Sequence, residues 1–143
     1  MIFLLIAATT LADSAYRSSP EIIAAHERWI MQIRKQGYYR ENVVNAMAVV
    51  PREYFVPAGK EHLAYENVNI PIGYGQTITR PDTVAYMTNK LELQPTDKVL
   101  EIGSGSGFQA SILYQITRNV FTIEIVEPLA AQAAGRWKAL GYS

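Results

Sequence analysis

Apolar and polar residues follow two different periods along this chain, and the change of period divides it. Over SSPEIIAAHERWIMQIRKQG, Ile22, Ile23, Trp29, Ile30 and Ile33 recur at the spacing of one helix face. Ser19 offers a cap, Pro20 and Glu21 suit a first turn, Lys35 falls near the end and Gly37 stops the helix. RENVVNAMAVV predicts a shorter helix running up to Pro51, whose ring disfavours helix in the residue before it. PREYFVP, between two prolines, reads as a compact aromatic turn.

From Ala64 to Arg80 neither period holds. AYENVNIPIGYGQTITRP mixes Asn, Pro and Gly with short β-branched runs and predicts a structured loop. A helix follows from Pro81 to about Leu91, with Val84, Met87 and Leu91 facing inward. QPTDK then turns into a strand, KVLEI; GFQASILYQI reads as a helix and VFTIEIV as a second strand. PLAAQAAGRWKALG is a final helix starting at Pro128 and stopped by Gly141. Strand, helix, strand, helix predicts an α/β fold with parallel pairing and a right-handed crossover. No internal repeat or low-complexity linker interrupts it.

Composition narrows the classes. The 143 residues are enough for one domain whose core removes roughly two thirds of the unfolded chain's surface from water. Thirteen basic residues balance thirteen acidic ones, without the cationic excess that phosphate-backbone binding needs, so no nucleic-acid partner is expected. The absence of cysteine excludes disulfides, thiolate metal sites and a cysteine nucleophile. Residues 1–15, MIFLLIAATTLADSA, have the apolar length and small residues of a signal-like leader but no basic residue before Arg17. They read as an export signal or as an apolar segment packing on the domain formed by residues 16–143. No other stretch suits a membrane span.

The glycine-dense turn after the first buried strand carries the candidate chemistry. VLEIGSGSGFQA places Glu101, Gly103, Gly105 and Gly107 in an E-x-G-x-G-x-G pattern at the start of a helix. Gly103 can turn tightly, Gly105 admits close approach of a ligand, and Gly107 lets the helix start close to the strand. Position 108 is Phe, so the G-x-G-x-x-G spacing of a dinucleotide site is not met. Glu124, twenty-one positions after Gly103, ends the second strand, where a carboxylate can accept both hydroxyls of a ribose. Each feature alone is more often a plain βα connection or a solvated acid; their order and spacing together favour a nucleotide-type cofactor.

VPREYFVP, AYENVNIPIGYGQTITRP, VAYMTNKLEL and KVLEIGSGSGFQASIL, in this order, resemble the N-terminal half of the protein-L-isoaspartate O-methyltransferase family. The resemblance runs from about Ile33 to Gly141, and the block around PIGYGQTIT makes it specific. It implies a Rossmann-like S-adenosylmethionine-dependent methyltransferase fold, incomplete, with N-terminal helices. It also implies that Gly103, Ser104, Gly105 and Gly107 wrap the methionine part of S-adenosylmethionine. Glu101 would orient the methionine amino group and Glu124 bind the ribose. Gln76, Thr77 and Ile78 would close over the cofactor, and Thr79 would be the catalytic hydroxyl beside the transferred methyl, at a position where the family usually has serine.

The implied reaction transfers a methyl group to the free carboxyl of an L-isoaspartyl residue in damaged proteins. That carboxylate is already ionised at neutral pH, so no general base is required, and the lack of a His–acid pair near the motif agrees. Thr79 equally reads as a cap for the next helix, and Arg80 as a substrate partner or a solvated loop residue. His26 and His62 lie apart in sequence and suggest no joint role; the tyrosines, Trp29 and Trp137 read as core or staple residues. The family's sheet continues past the second strand, so the chain is expected to be a fragment or a truncated gene product. A cofactor-binding remnant and a small-molecule methyltransferase are the alternatives. The expected partners are isoaspartyl peptides and proteins, the expected state a monomer, and the expected compartment the cytoplasm, where S-adenosylmethionine is made, with export as the alternative.

Overall fold

The computed structural model describes residues 18–142; the leader reading of residues 1–15 falls outside them. Helix α1, Pro20–Lys35, starts where the Ser19 hydroxyl accepts the Ile22 N–H at 3.4 Å. Trp29, Ile30 and Ile33 are buried as the pattern requires, but Ile23 points to solvent at the outer margin of the stripe. Helix α2, Glu41–Val49, buries Val43, Val44, Ala46 and Met47 against it and ends before Pro51. Short 3-10 turns follow at Arg52–Phe55 and Glu61–Leu63.

The first of these turns buries charge. Arg52 is wholly inaccessible and Glu53 nearly so. Tyr65 joins them: its hydroxyl donates to Glu53 Oε2 and accepts the Arg52 backbone N–H at 3.2 Å, while Ser18 donates to Glu53 Oε1. The Arg52 Nε–H donates to the Ala64 carbonyl at 2.7 Å, and its guanidinium lies 4.7 Å from the Phe108 ring centre. Burial lowers the Arg52 pKa to about 10, opposed by its neighbour Tyr65.

The segment expected as a loop is a hairpin. Strand β1, Ile70–Gly73, pairs antiparallel with β2, Gln76–Ile78. Tyr74 and Gly75, at φ 55° and 70°, make the two-residue turn with both central residues left-handed that matches strand twist. The ladder is irregular between Pro71 and Gly73, so Ile72 sits in a bulge. Helix α3, Pro81–Leu91, comes next. Its buried face is Pro81, Val84, Ala85 and Thr88, with the Thr88 hydroxyl donating to the Val84 carbonyl; Met87 and Leu91 are exposed, contrary to the inward stripe expected of them.

Strand β3, Lys98–Ile102, helix α4, Phe108–Ile116, strand β4, Asn119–Ile123, and helix α5, Glu127–Ala139, complete the chain. β3 and β4 pair in parallel and in register from Lys98↔Asn119 to Ile102↔Ile123, as expected of the α/β reading. β4 stops short of the VFTIEIV pattern because the Glu124 carboxylate accepts the Val126 N–H at 3.0 Å and curls the chain. A continuous apolar core joins α1, α2, the hairpin, α3 and α4, with Phe55, Ile70, Val84, Phe108 and Ile112 at its centre. The opposite sheet face carries Leu100, Ile102, Phe121 and Ile123, all exposed, and Ile125 just past β4 is exposed too. Among the described residues, no helix is long and apolar enough to cross a membrane.

Candidate cofactor site

The glycine turn between β3 and α4 is left-handed at all three glycines, with φ of 88°, 51° and 87° at Gly103, Gly105 and Gly107. Such angles cost any other residue strain. The turn is tied to β4 by the Gly103 and Ser104 N–H groups, which donate to the Ile123 carbonyl at 2.7 and 3.3 Å. A Cβ on Gly105 would lie 3.5 Å from Ile72 Cδ1, so the hairpin bulge presses its side chain onto the turn. Gly107 answers to a different neighbour from the one expected: a Cβ there would lie 3.2 Å from the Ala133 Cβ of α5, and the tight packing is with that helix rather than with β3.

A cavity of about 240 Å³ opens where this turn faces the hairpin. Thr77, Ile78 and Thr79 line one side, Glu101, Gly103, Ser104 and Gly105 the other, and Val84, Met87, Phe108 and Gln109 close it. Gln76, although adjacent in β2, lies outside it. Thr79 does not cap α3: the N-cap position is Arg80, whose side chain makes no capping hydrogen bond to the helix backbone. The threonine therefore faces the cavity rather than serving the helix.

Two carboxylates define the electrostatics. Glu101 accepts the Thr122 hydroxyl at 2.8 Å and is raised to about 7, mainly by burial, against that hydrogen bond and with a push from the charge of Glu124. Glu124 accepts the Gly105 N–H at 2.7 Å and the Val126 N–H at 3.0 Å, and these bonds hold it below the ordinary carboxylate range. The structure brings Glu124 onto the glycine turn, but it lines a neighbouring cavity of about 270 Å³ with Trp137, Ala130 and Ala133, not the one with Thr79. Its oxygens are engaged by backbone, so gripping a diol requires exchanging at least one of those bonds.

Gln109 was not visible in the sequence as a site residue. Its Nε2 donates to Thr88 Oγ1 at 2.9 Å, while its buried Oε1 has no partner. Gln109 and Glu101 both line this cavity, and an acceptor left without a donor together with a carboxyl there fits a cationic group such as the ammonium of a methionine. The cavity is smaller than the roughly 300–1,000 Å³ typical of small-molecule sites, so it suits the methionyl end rather than a whole nucleoside cofactor. His26 is a core residue: its Nε2 lies 3.1 Å from the Met47 carbonyl, its ring stacks 4.4 Å from Tyr65, and burial lowers its pKa. Among the described residues no group of histidines and carboxylates could hold a metal.

Comparison with known proteins gives a consistent set. The family model for protein-L-isoaspartate(D-aspartate) O-methyltransferase matches residues 24–143. The chain is 55% identical over 101 residues to protein-L-isoaspartate O-methyltransferase 1 of Nitrosospira multiformis, covering 71% of this chain and 43% of that protein. It is 48% identical over 121 residues to the Picosynechococcus enzyme of the same name, covering 84% and 54%. Among solved structures it superposes with TM-score 0.72 and 21% identity on a protein-L-isoaspartate O-methyltransferase, covering 82% of this chain and 39% of that one. A Plasmodium falciparum β-aspartate methyltransferase in complex with S-adenosyl-L-homocysteine gives 0.66 and 23%, covering 79% and 55%. These likenesses establish the Rossmann-like methyltransferase architecture over the span they share, and the chain spans about half the length of the relatives it matches.

Proposed function

The chain belongs to the protein-L-isoaspartate O-methyltransferase family, and on that premise we propose that its glycine turn and hairpin hold S-adenosylmethionine for methyl transfer to the free carboxyl of L-isoaspartyl residues, a protein-repair reaction. The observation that carries this reading is the meeting of Thr79, Glu101 and Gln109, whose Oε1 has no partner, around one cavity bounded by the Gly103–Gly105 turn.

The cofactor, when bound, supplies a methyl group on a sulfonium. Glu101 and Gln109 would accept from its ammonium, the Gly103–Gly105 backbone would admit the methionyl chain without a Cβ in the way, and Glu124, in the neighbouring cavity, would take the ribose by giving up one of its backbone bonds. Ile78 and Thr77 form the hairpin-side wall of the cavity. Thr79 donates its hydroxyl to the incoming carboxylate and sets the direction of attack. With a nucleophile that ionises at about pH 4, the protein's part is alignment, and alignment alone can lower a barrier by several kcal/mol. The supply of S-adenosylmethionine supports a cytoplasmic setting.

Calorimetric titration of the 143-residue chain with S-adenosyl-L-homocysteine tests the cofactor site. Saturable binding that is lost in Gly105→Val is expected; no binding at millimolar ligand overturns the reading. Transfer of labelled methyl from S-adenosylmethionine to an isoaspartyl peptide, with the aspartyl peptide unlabelled, tests the acceptor. Labelling of small carboxylic acids but not of the isoaspartyl peptide would favour a small-molecule methyltransferase instead.

A further inference from the structure

We propose that a tyrosine-lined recess beside the start of α3 seats the residues that flank the modified position of a peptide substrate, an inference that rests on the isoaspartyl reading above. The recess, about 270 Å³, is lined by Tyr38, Tyr39 and Tyr86 with Arg80, Asp82 and Thr83. Half or more of Tyr38 and Tyr86 is open to solvent, at 57% and 51%. The Tyr38 hydroxyl donates to that of Tyr39 at 3.2 Å, and their rings lie 4.4 Å apart. Asn89 fastens this loop to α3 by accepting the Arg40 N–H at 2.7 Å and donating to the Tyr38 carbonyl. The aromatic wall is thus held in place from both sides.

Arg80 gives the recess its polar anchor. Its Nε–H is shared between Thr83 Oγ1 at 2.9 Å and Asp82 Oδ1 at 3.2 Å, which fixes the plane of the guanidinium. Its two terminal nitrogens have no protein partner among the described residues. A planar fork of free donors beside exposed tyrosine rings suits a polypeptide: carbonyl or carboxylate oxygens on the arginine, side chains and peptide planes on the rings.

The recess and the reacting cavity flank the start of α3. Thr79 lines the cavity and the next residue, Arg80, lines the recess. Helix α3 is the wall between them, with Val84 and Met87 on one side and Asp82, Thr83 and Tyr86 on the other. A helix with its side chains is roughly 10–12 Å across and an extended peptide advances about 3.3 Å per residue. A peptide whose isoaspartyl carboxylate sits at Thr79 therefore reaches the recess with a residue about three or four positions away, and shorter flanks fall short.

The test titrates the chain, saturated with S-adenosyl-L-homocysteine, with isoaspartyl peptides carrying either five-residue or one-residue flanks, for the native protein, Arg80→Gln and Tyr86→Ala. Both changes are at exposed side chains and leave the core intact. The long peptide should bind roughly tenfold more weakly to each variant, while the short peptide and the cofactor product bind all three alike. Equal loss for long and short peptides, or no loss for either, overturns the recess. Failure of the cofactor product to bind overturns the cofactor site alone; variant-sensitive binding of the long peptide in that case still supports the recess.

Discussion

The Glu124 carboxylate lies 2.7 Å from the Gly105 backbone nitrogen, a bond that ties the end of one strand to the middle of the turn following its neighbour. The same carboxylate holds the Val126 N–H at 3.0 Å. One ionised side chain thus shapes both the glycine turn and the entry to α5, before any ligand is considered. Hydrogen bonds to a charged acceptor contribute about 1.5–3 kcal/mol where they are shielded and less where water reaches them. Glu124 is partly exposed, so Glu124→Ala should lower stability by about 1 kcal/mol, read by urea unfolding, and weaken S-adenosyl-L-homocysteine binding by more than tenfold. Because its folded pKa is depressed, its contribution is present above the ordinary carboxylate value of 4.5 and fades as pH falls through the lower folded value. Unchanged affinity in Glu124→Ala would show that the carboxylate serves the turn alone.

Gly107 and Gly135 make an internal control for the reading of the turn. At Gly107 an alanine Cβ would meet Ala133 at 3.2 Å from a backbone at φ 87°, so both space and conformation oppose it. At Gly135, inside α5, nothing lies within 4 Å and the backbone is helical. Gly107→Ala should cost about 2–3 kcal/mol, whereas Gly135→Ala should add about 0.5–1 kcal/mol through helix propensity. Thermal unfolding separates them by sign. A neutral Gly107→Ala would mean that α5 shifts freely, and the turn would not be braced by that helix.

What the chain reveals before folding follows from how local each cause is. The start of α1 was legible because Ser19 and Pro20 act on their own helix, and the left-handed glycines because only glycine takes those angles without strain. The hairpin was not, because its turn puts Tyr74 at positive φ, where Asn or Gly would have announced it. The burial of Arg52 and Glu53 was equally hidden: charged residues read as surface until Tyr65, twelve and thirteen positions later, is known to bond both. In the candidate site, Glu101 and the glycines follow from the motif, and Thr79 from the family resemblance. Gln109 does not, since a glutamine inside an amphipathic helix signals nothing until the fold leaves its oxygen without a donor.

Glu101 makes the cofactor site sensitive to pH in the neutral range. Its carboxyl titrates at about 7 instead of 4.5, so between those values the folded protein holds a proton that the unfolded chain has released. The sign for stability is the reverse of the usual acidic residue: the contribution is full below 4.5 and is lost as pH rises through about 7. Ligand binding runs the other way, because accepting from an ammonium requires the ionised form. Between pH 6 and pH 7, below the range of about 7.7–8.0 where amino groups begin to titrate, S-adenosyl-L-homocysteine affinity should rise about fivefold. Glu101→Gln should bind more weakly than the native protein at pH 7 and with no slope, since the amide neither titrates nor carries charge. A slope that survives in Glu101→Gln would place the titrating group elsewhere.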